Sequence, residues 1–457
     1  MKIHELDNVE VREDGMKYAL VPIAKGERVI KYGFPIGCAT EDIALGTLVH
    51  SHNLKSRLSG TGGWEYRPEA LPVELPLEGT FLGYRRKNGD VGIRNELWIV
   101  PTVGCANGVA KALAEKTGAK ALCHPYGCSQ LGGDLETTAK TLAGLVRHPN
   151  AGGVLVLGLG CEENHLAHFR AYLGEVDEER VKFLNLQDCE DDMASGLALL
   201  SALQERMAND VREALPLSAL RIGIKCGGSD GYSGITANPL VGRVSDRFGR
   251  AGATVLMTEV PEVFGAEEIL LSRCVDEKVF EKVSGAIRRF RQYFIDHGEG
   301  IADNPSPGNV AGGITTLEEK SLGCVQKGGK VPVVGALSVG EKPSCGGLYL
   351  VYGPGNDQVA VTNLAAAGAH MILFTTGRGT PLCGPVPTVK ISTNTPLAKK
   401  KSGWIDFNAG VLLDGEDMEV LADRLFAHCL TVAEGAETVG EKNGYMDIAI
   451  FKDGVTL

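Results

Sequence analysis

Gly153-Val154-Leu155-Val156-Leu157-Gly158-Leu159-Gly160-Cys161-Glu162-Glu163 is the stretch that decides the fold class. Val154 to Leu157 is apolar at every position, which suits a strand buried on both faces rather than one with a solvated side. Residues 162–173 then follow a helical pattern, so the pair reads as a βα unit of a parallel sheet. Leu97-Trp98-Ile99-Val100 with the helical stretch 107–115 repeats the arrangement. The expectation is a doubly wound α/β domain whose ligands meet loops beyond the carboxyl ends of the strands.

Toward the N-terminus the pattern changes. Short alternating stretches such as Arg28-Val29-Ile30-Lys31-Tyr32, separated by glycine turns, predict a small β-rich domain over residues 1–57. Residues 58–78, with Ser59-Gly60-Thr61-Gly62-Gly63 and scattered prolines, have linker composition. The α/β domain is expected over 79–302. The turn-rich Asp303-Asn304-Pro305-Ser306-Pro307-Gly308-Asn309 is taken as the start of a C-terminal α/β domain or lobe over 303–457.

The 457 residues carry a net charge of −11, which argues against nucleic-acid or anionic-membrane partners, since either needs a basic face. No apolar stretch is long enough to span a bilayer, and the first residues lack a signal-peptide core, so a cytoplasmic protein is expected. There the 12 cysteines stay reduced and are available for metal ligation or packing. A small-molecule substrate fits these limits, and a homo-oligomer stays open.

Thiols concentrate on glycine-rich loops. Cys105, Cys128 (with His124 before it) and Cys161 follow expected strands, and Cys226 opens Cys226-Gly227-Gly228-Ser229-Asp230-Gly231. Thiolates and imidazoles together suit a soft metal ion, and three or four thiolates would also suit an iron–sulfur cluster. Taken singly, each cysteine is as readily a small buried residue. Glu163 stands where a dinucleotide fingerprint needs glycine, which excludes a nicotinamide cofactor. His50 and His52, two apart at a strand end, are expected on one face. Arg94, beside Asn95, and Arg378 sit amid flexible backbone and could grip a carboxylate. Asp230, Glu259, Glu262, Glu267 and Lys390 are candidate acids, bases or charge partners.

Taken together these segments resemble the altronate and galactarate dehydratase family. The resemblance is carried by Gly89-Asp90-Val91-Gly92-Ile93-Arg94-Asn95-Glu96-Leu97-Trp98, His124-Pro125-Tyr126-Gly127-Cys128-Ser129-Gln130, Gly158-Leu159-Gly160-Cys161-Glu162 and the stretch opening at Cys226. Asn304-Pro305-Ser306-Pro307-Gly308-Asn309, Phe374-Thr375-Thr376-Gly377-Arg378-Gly379-Thr380-Pro381 and the terminal Phe451-Lys452-Asp453-Gly454-Val455-Thr456-Leu457 add to it, the last most like the altronate branch. The front unit resembles the family's SAF domain.

The resemblance implies loss of water from a sugar acid, D-altronate giving 2-keto-3-deoxy-D-gluconate, with Fe2+ or Mn2+. In that scheme His50, His52, Glu162 and Asp230 are catalytic. Arg94, Asn95, Ser229, Arg378 and Lys390 bind substrate, and Cys105, His124, Cys128, Cys161 and Cys226 hold the metal. One position departs from the family: Met16 in Gly15-Met16-Lys17 stands where a histidine is usual, and methionine cannot shuttle a proton. A family lyase acting on galactarate, another sugar acid or sulfolactate, and a non-catalytic sugar-acid binding protein, are the alternatives.

Overall fold

A computed structural model of the chain describes residues 3–58, 62–71 and 75–457. The front domain contains six short strands, β1 (Val9–Val11), β2 (Lys17–Ala19), β3 (Arg28–Lys31), β4 (Phe34–Ala39), β5 (Leu48–Val49) and β6 (Leu54–Lys55). They form two antiparallel three-stranded sheets, β1-β2-β5 and β3-β4-β6. Alternation along these strands turns Val9, Val29, Ile36 and Val49 into a shared core.

The domain is fastened by charge. Lys17 and Lys31 project from it and both reach the Glu319 carboxylate at 2.8 Å, with all three side chains buried. The expected linker falls partly outside the described residues. Within them it lies along the third domain: Trp64 and Tyr66 pack on its core, and the Glu69 N–H donates to Ser272 O at 2.8 Å.

β7 (Thr80–Arg85), β8 (Val91–Gly92) and β13 (Glu213–Pro216) make a small antiparallel sheet in the order β13-β7-β8. Between them lies the second domain, a parallel sheet of β9 (Glu96–Pro101), β10 (Lys120–Ala121), β11 (Ala151–Gly158) and β12 (Val181–Asn185), ordered β10-β9-β11-β12. Its helices are α1 (Asn107–Thr117), α2 (Gly132–Val146), α3 (Leu166–Leu173) and α4 (Asp192–Met207). β11 is buried at all eight positions, as its unbroken apolar run predicts.

The third domain is built on seven strands: β14 (Arg221–Cys226), β15 (Thr254–Met257), β16 (Val333–Leu337), β17 (Gly347–Val351), β18 (Met371–Thr376), β19 (Thr388–Ser392) and β20 (Phe407–Asn408). All neighbours pair in parallel, in the order β16-β17-β15-β14-β18-β19-β20. Around them lie α5 (Ala237–Arg250), α6 (Glu267–Leu271), α7 (Glu277–Asp296), α8 (Pro307–Ala311), α9 (Leu317–Val325) and α10 (Asp357–Ala366). α11 (Thr395–Lys400), α12 (Met418–Ala433) and α13 (Val439–Lys442) complete the chain.

This sheet draws strands from both sides of residue 303, so the expected division there does not separate two domains. The turn-rich stretch is instead a crossover that leads into α8. Polar turns look alike in sequence whether they join domains or strands of one sheet, and only shared burial tells them apart. Among the described residues no helix is long and apolar enough to cross a membrane.

Candidate active site

The order of strands in the large sheet makes the site. From β14 the chain proceeds to β15 on one side, whereas β18 lies on the other side of β14 and leads on to β19. Loops leaving the carboxyl ends of β14 and β18 therefore part, opening the crevice where ligands bind in such sheets. A cavity of about 480 Å³ lies here, lined by Cys226, Gly227, Glu262, Asn309, Lys320 and Asp357. Gly227 is needed for the approach: a Cβ there would meet Asp357 Oδ2 at 2.6 Å and the Phe374 ring at 2.7 Å.

Cys226 ends β14, Glu262 follows β15, and Cys324 lies on α9. The two sulfurs are 3.8 Å apart, and Cys324 Sγ is 3.1 Å from Glu262 Oε2. Two sulfurs held tetrahedrally by one ion at about 2.3 Å would be separated by about that distance. Among the described residues this buried trio is the one group of cysteine, histidine and carboxylate side chains with ligand atoms close enough to share an ion. Two sulfurs and an oxygen suit a borderline-soft divalent metal, and three protein ligands leave a position open for substrate.

Three buried lysines enclose the trio. Lys320 pairs with Glu262 at 2.8 Å, Lys327 with Glu259 at 3.1 Å, and Lys225 with Glu259 at 2.6 Å and also with Asp357. The Cys324 thiol's hydrogen bond to Cys226, followed by the nearby Lys327 ammonium, lowers the Cys226 thiol, while the Cys324 thiol is pushed up. The pair thus favours one thiolate. Asp357 is 34% exposed and is the carboxylate of this network that reaches solvent.

Ser229, Asp230 and Arg378 lie on the loops that adjoin the crevice lining. Ser229 Oγ is 2.6 Å from Cys226 Sγ. Asp230 is buried and accepts from Thr393 Oγ1 (2.9 Å), Asn394 Nδ2 (3.1 Å) and Ser233 Oγ (3.0 Å); desolvation raises its carboxyl above the usual range. The Arg378 backbone N–H donates to Gly228 O at 2.9 Å, which sets its exposed side chain beside Gly228 and Gly308. No carboxylate among the described residues pairs with it.

Other expected site residues lie elsewhere. His50 and His52 do not share a strand face, because β5 ends at Val49 and the chain turns there, with Asn53 N–H and Leu54 N–H both donating to His50 O. His50 reaches α8, its Nε2 3.0 Å from Val310 O, and His52 is exposed. Met16 lies near Gly313, next to the Asp230 loop.

The expected five-ligand metal set divides. Cys105, Cys128 and Cys161 are exposed on loops of the second domain's sheet, while Cys226 belongs to the other sheet. His124 is buried with both nitrogens engaged: Nε2–H donates to Pro101 O (2.8 Å) and Nδ1 accepts from Tyr126 N–H (3.2 Å), so it holds a loop. Glu162 is likewise occupied, accepting from Thr102 Oγ1 (2.8 Å), Leu159 N–H (3.0 Å) and Gly160 N–H (2.6 Å).

The expected substrate-binding set divides as well. Arg94 is sequestered, forking onto Glu441 at 2.8 and 3.0 Å and donating to Val432 O and Ala436 O. Asn95 accepts from Arg86 at 3.0 Å, away from the crevice. Lys390 is buried, donating to Thr380 O at 2.9 Å over the Phe374 ring. Glu267 is bound to Arg291.

Sequence alone does not mark Cys324, Lys320, Lys327, Lys225 and Asp357 as site residues. A signal existed in part: Lys320, Cys324 and Lys327 stand four and then three apart, the spacing of one helix face.

Residues 217–456 match the model of the D-galactarate/altronate dehydratase C-terminal domain. The chain belongs to this family. Residues 83–208 match the family's second domain, described as D-galactarate dehydratase/altronate hydrolase, and residues 3–57 match its SAF domain. The chain is 50% identical to altronate dehydratase of Escherichia coli (strain K12) over 493 aligned residues, covering 100% of this chain and 99% of the relative. It is 51% identical to altronate dehydratase of Bacillus subtilis (strain 168), covering 98% and 94%. Identity to galactarate dehydratase (L-threo-forming) of Escherichia coli (strain K12) is 34%, covering 94% and 87%. As a member of the D-galactarate/altronate dehydratase family, the protein is a hydro-lyase acting on a sugar acid.

Proposed function

We propose that the protein dehydrates D-altronate to 2-keto-3-deoxy-D-gluconate in the crevice between the β14 and β18 loops. The observation that carries this reading is the exposed Arg378, without a carboxylate partner among the described residues, bonded through its backbone to Gly228 of a crevice whose wall includes Cys226 and Glu262 of the buried trio. The near-equal identity to two altronate dehydratases supports altronate over galactarate.

Arg378 grips the substrate carboxylate, which lowers the barrier to removing the proton beside it. Asp357 faces the crevice and takes that proton, while its contact with Lys225 fixes the position of the carboxylate. Lys320, held protonated chiefly by Glu262 and Cys324 against its burial, donates toward the departing hydroxyl. Ser229 and Asp230 fix the loop and the remaining hydroxyls. Fe2+ held by Cys226, Glu262 and Cys324 would supply Lewis acidity to a substrate oxygen. His50 acts from the front domain through α8, shaping the crevice floor.

The test is turnover of altronate, galactarate and sulfolactate by the metal-loaded protein, alongside Asp357→Asn and Arg378→Ala. Altronate is expected to be used best, and both variants to lose turnover. Preference for another acid would displace altronate. Undiminished activity in both variants would displace the crevice.

A further inference from the structure

We infer that Cys105, Cys128 and Cys161 form a second metal centre, a three-thiolate site for a [4Fe–4S] cluster, separate from the buried Cys226–Glu262–Cys324 trio. β9, β10 and β11 are adjacent parallel strands, and each delivers one of these cysteines from its carboxyl end. The loops are bound into one unit. Gly104 N–H donates to Tyr126 O at 2.8 Å, Asn164 N–H to Gly127 O at 3.0 Å, and Ser129 N–H to the Glu163 carboxylate at 2.6 Å.

None of the three cysteines is in a disulfide and all three are exposed, with Cys161 Sγ accepting from Gln187 Nε2 at 3.4 Å, whereas cysteine is among the residues most often buried. Cys105 lies within electrostatic reach of Cys128. The sulfurs are nevertheless too far apart to converge on a single ion, since among the described residues such grouping occurs at the other trio. A cuboidal cluster removes that conflict, because each thiolate binds a different iron. Three thiolates leave one iron without a protein ligand, open to an oxygen ligand from outside.

The site also lies toward the crevice. The C-terminal segment packs Phe451 on Phe290 and Tyr293 of α7, then pairs Gly454 N–H with Asp134 at 2.9 Å and Leu457 N–H with Ser129 O at 2.9 Å. Phe294, next along α7, lines the crevice. One short segment therefore joins the crevice wall to the Cys128 loop.

Full-length protein, purified without oxygen and supplied with equal amounts of ferrous and ferric iron and with sulfide, is measured for iron, acid-labile sulfide and visible absorption. About four irons and four sulfides per chain with broad visible absorption are expected. Cys105→Ser, Cys128→Ser and Cys161→Ser should each lose sulfide and absorption while keeping their far-ultraviolet dichroism. Cys324→Ser, which touches the other trio, should keep both. Absence of labile sulfide in the parent protein, or sulfide retained in all three serine variants, overturns the assignment. Because the readouts are not activity, failure here leaves the crevice reading standing.

Discussion

Lys17 of the front domain and Glu319 on α9 meet across the domain boundary at 2.8 Å, both out of reach of solvent. Lys31 closes the same carboxylate from the other side at 2.8 Å. This joint holds the His50 turn and the Met16 loop against α8 and the Asp230 loop. Glu319 is consequently shared by two cations, whose charges overcome its burial and hold its carboxyl at about 2.

Glu319→Gln should leave two buried ammonium groups facing a neutral side chain. Removing one partner of a buried pair costs about 3–5 kcal/mol. Urea denaturation is expected to show that loss, with the front domain released first and cleaved by protease at lower doses than in the parent. Unchanged stability would show that the joint does not carry the docking.

Arg378→Ala should remove charge-assisted hydrogen bonds to the substrate carboxylate, worth about 2–3 kcal/mol, or roughly 30- to 150-fold in kcat/KM. Its side chain is exposed, so the melting temperature should stay within about 1 °C of the parent. A large fall in melting temperature would instead make Arg378 a structural residue.

Arg94→Ala should behave in the opposite way. Loss of the buried fork onto Glu441 is expected to destabilise the fold by about 3–5 kcal/mol. The KM of the protein that remains folded should be unchanged, and a raised KM with parental stability would return Arg94 to the substrate site.

Cys324→Ser and Glu262→Gln should each weaken binding of ferrous iron by roughly 100-fold or more, at least the effect of losing an outer-shell partner. Equilibrium dialysis against a competing chelator measures this directly. Parental affinity in both variants would remove the trio as a metal site.

Burial lowers His124 to about 4 and His148 to about 3, so both fold as neutral rings. The unfolded chain binds these protons near pH 6.5 and the folded chain does not. Their contribution is therefore fully present above about pH 6.5 and is lost as pH falls toward 4 and then 3. For His124 alone the loss is on the order of 3 kcal/mol. Stability measured at pH 7.5 and pH 4.5 should fall steeply, and equal values at both would mean these rings protonate in place.

Much of this was legible in the chain itself. An unbroken apolar run such as Val154 to Leu157 can be satisfied only by burial on both faces, so parallel strands under helices follow from local sequence. The front domain's alternation and the crevice loops at Cys226–Asp230 and Gly377–Thr380 were equally readable, because glycine and turn chemistry are local properties. The roles of Arg94, His124 and Glu162 were not. Their residue types suit catalysis, but Glu441, 347 positions from Arg94, decides its fate.

Sequence by itself determined the fold class, the family and the loops that carry polar chemistry. Tertiary structure alone decided which thiols meet: Cys226 joins Cys324, 98 positions away, while Cys105, Cys128 and Cys161 lie on loops of another sheet. The reason is physical. Strand formation depends on neighbours along the chain, whereas the partners of a buried charge or thiol are set by the order in which strands assemble, which no local pattern encodes.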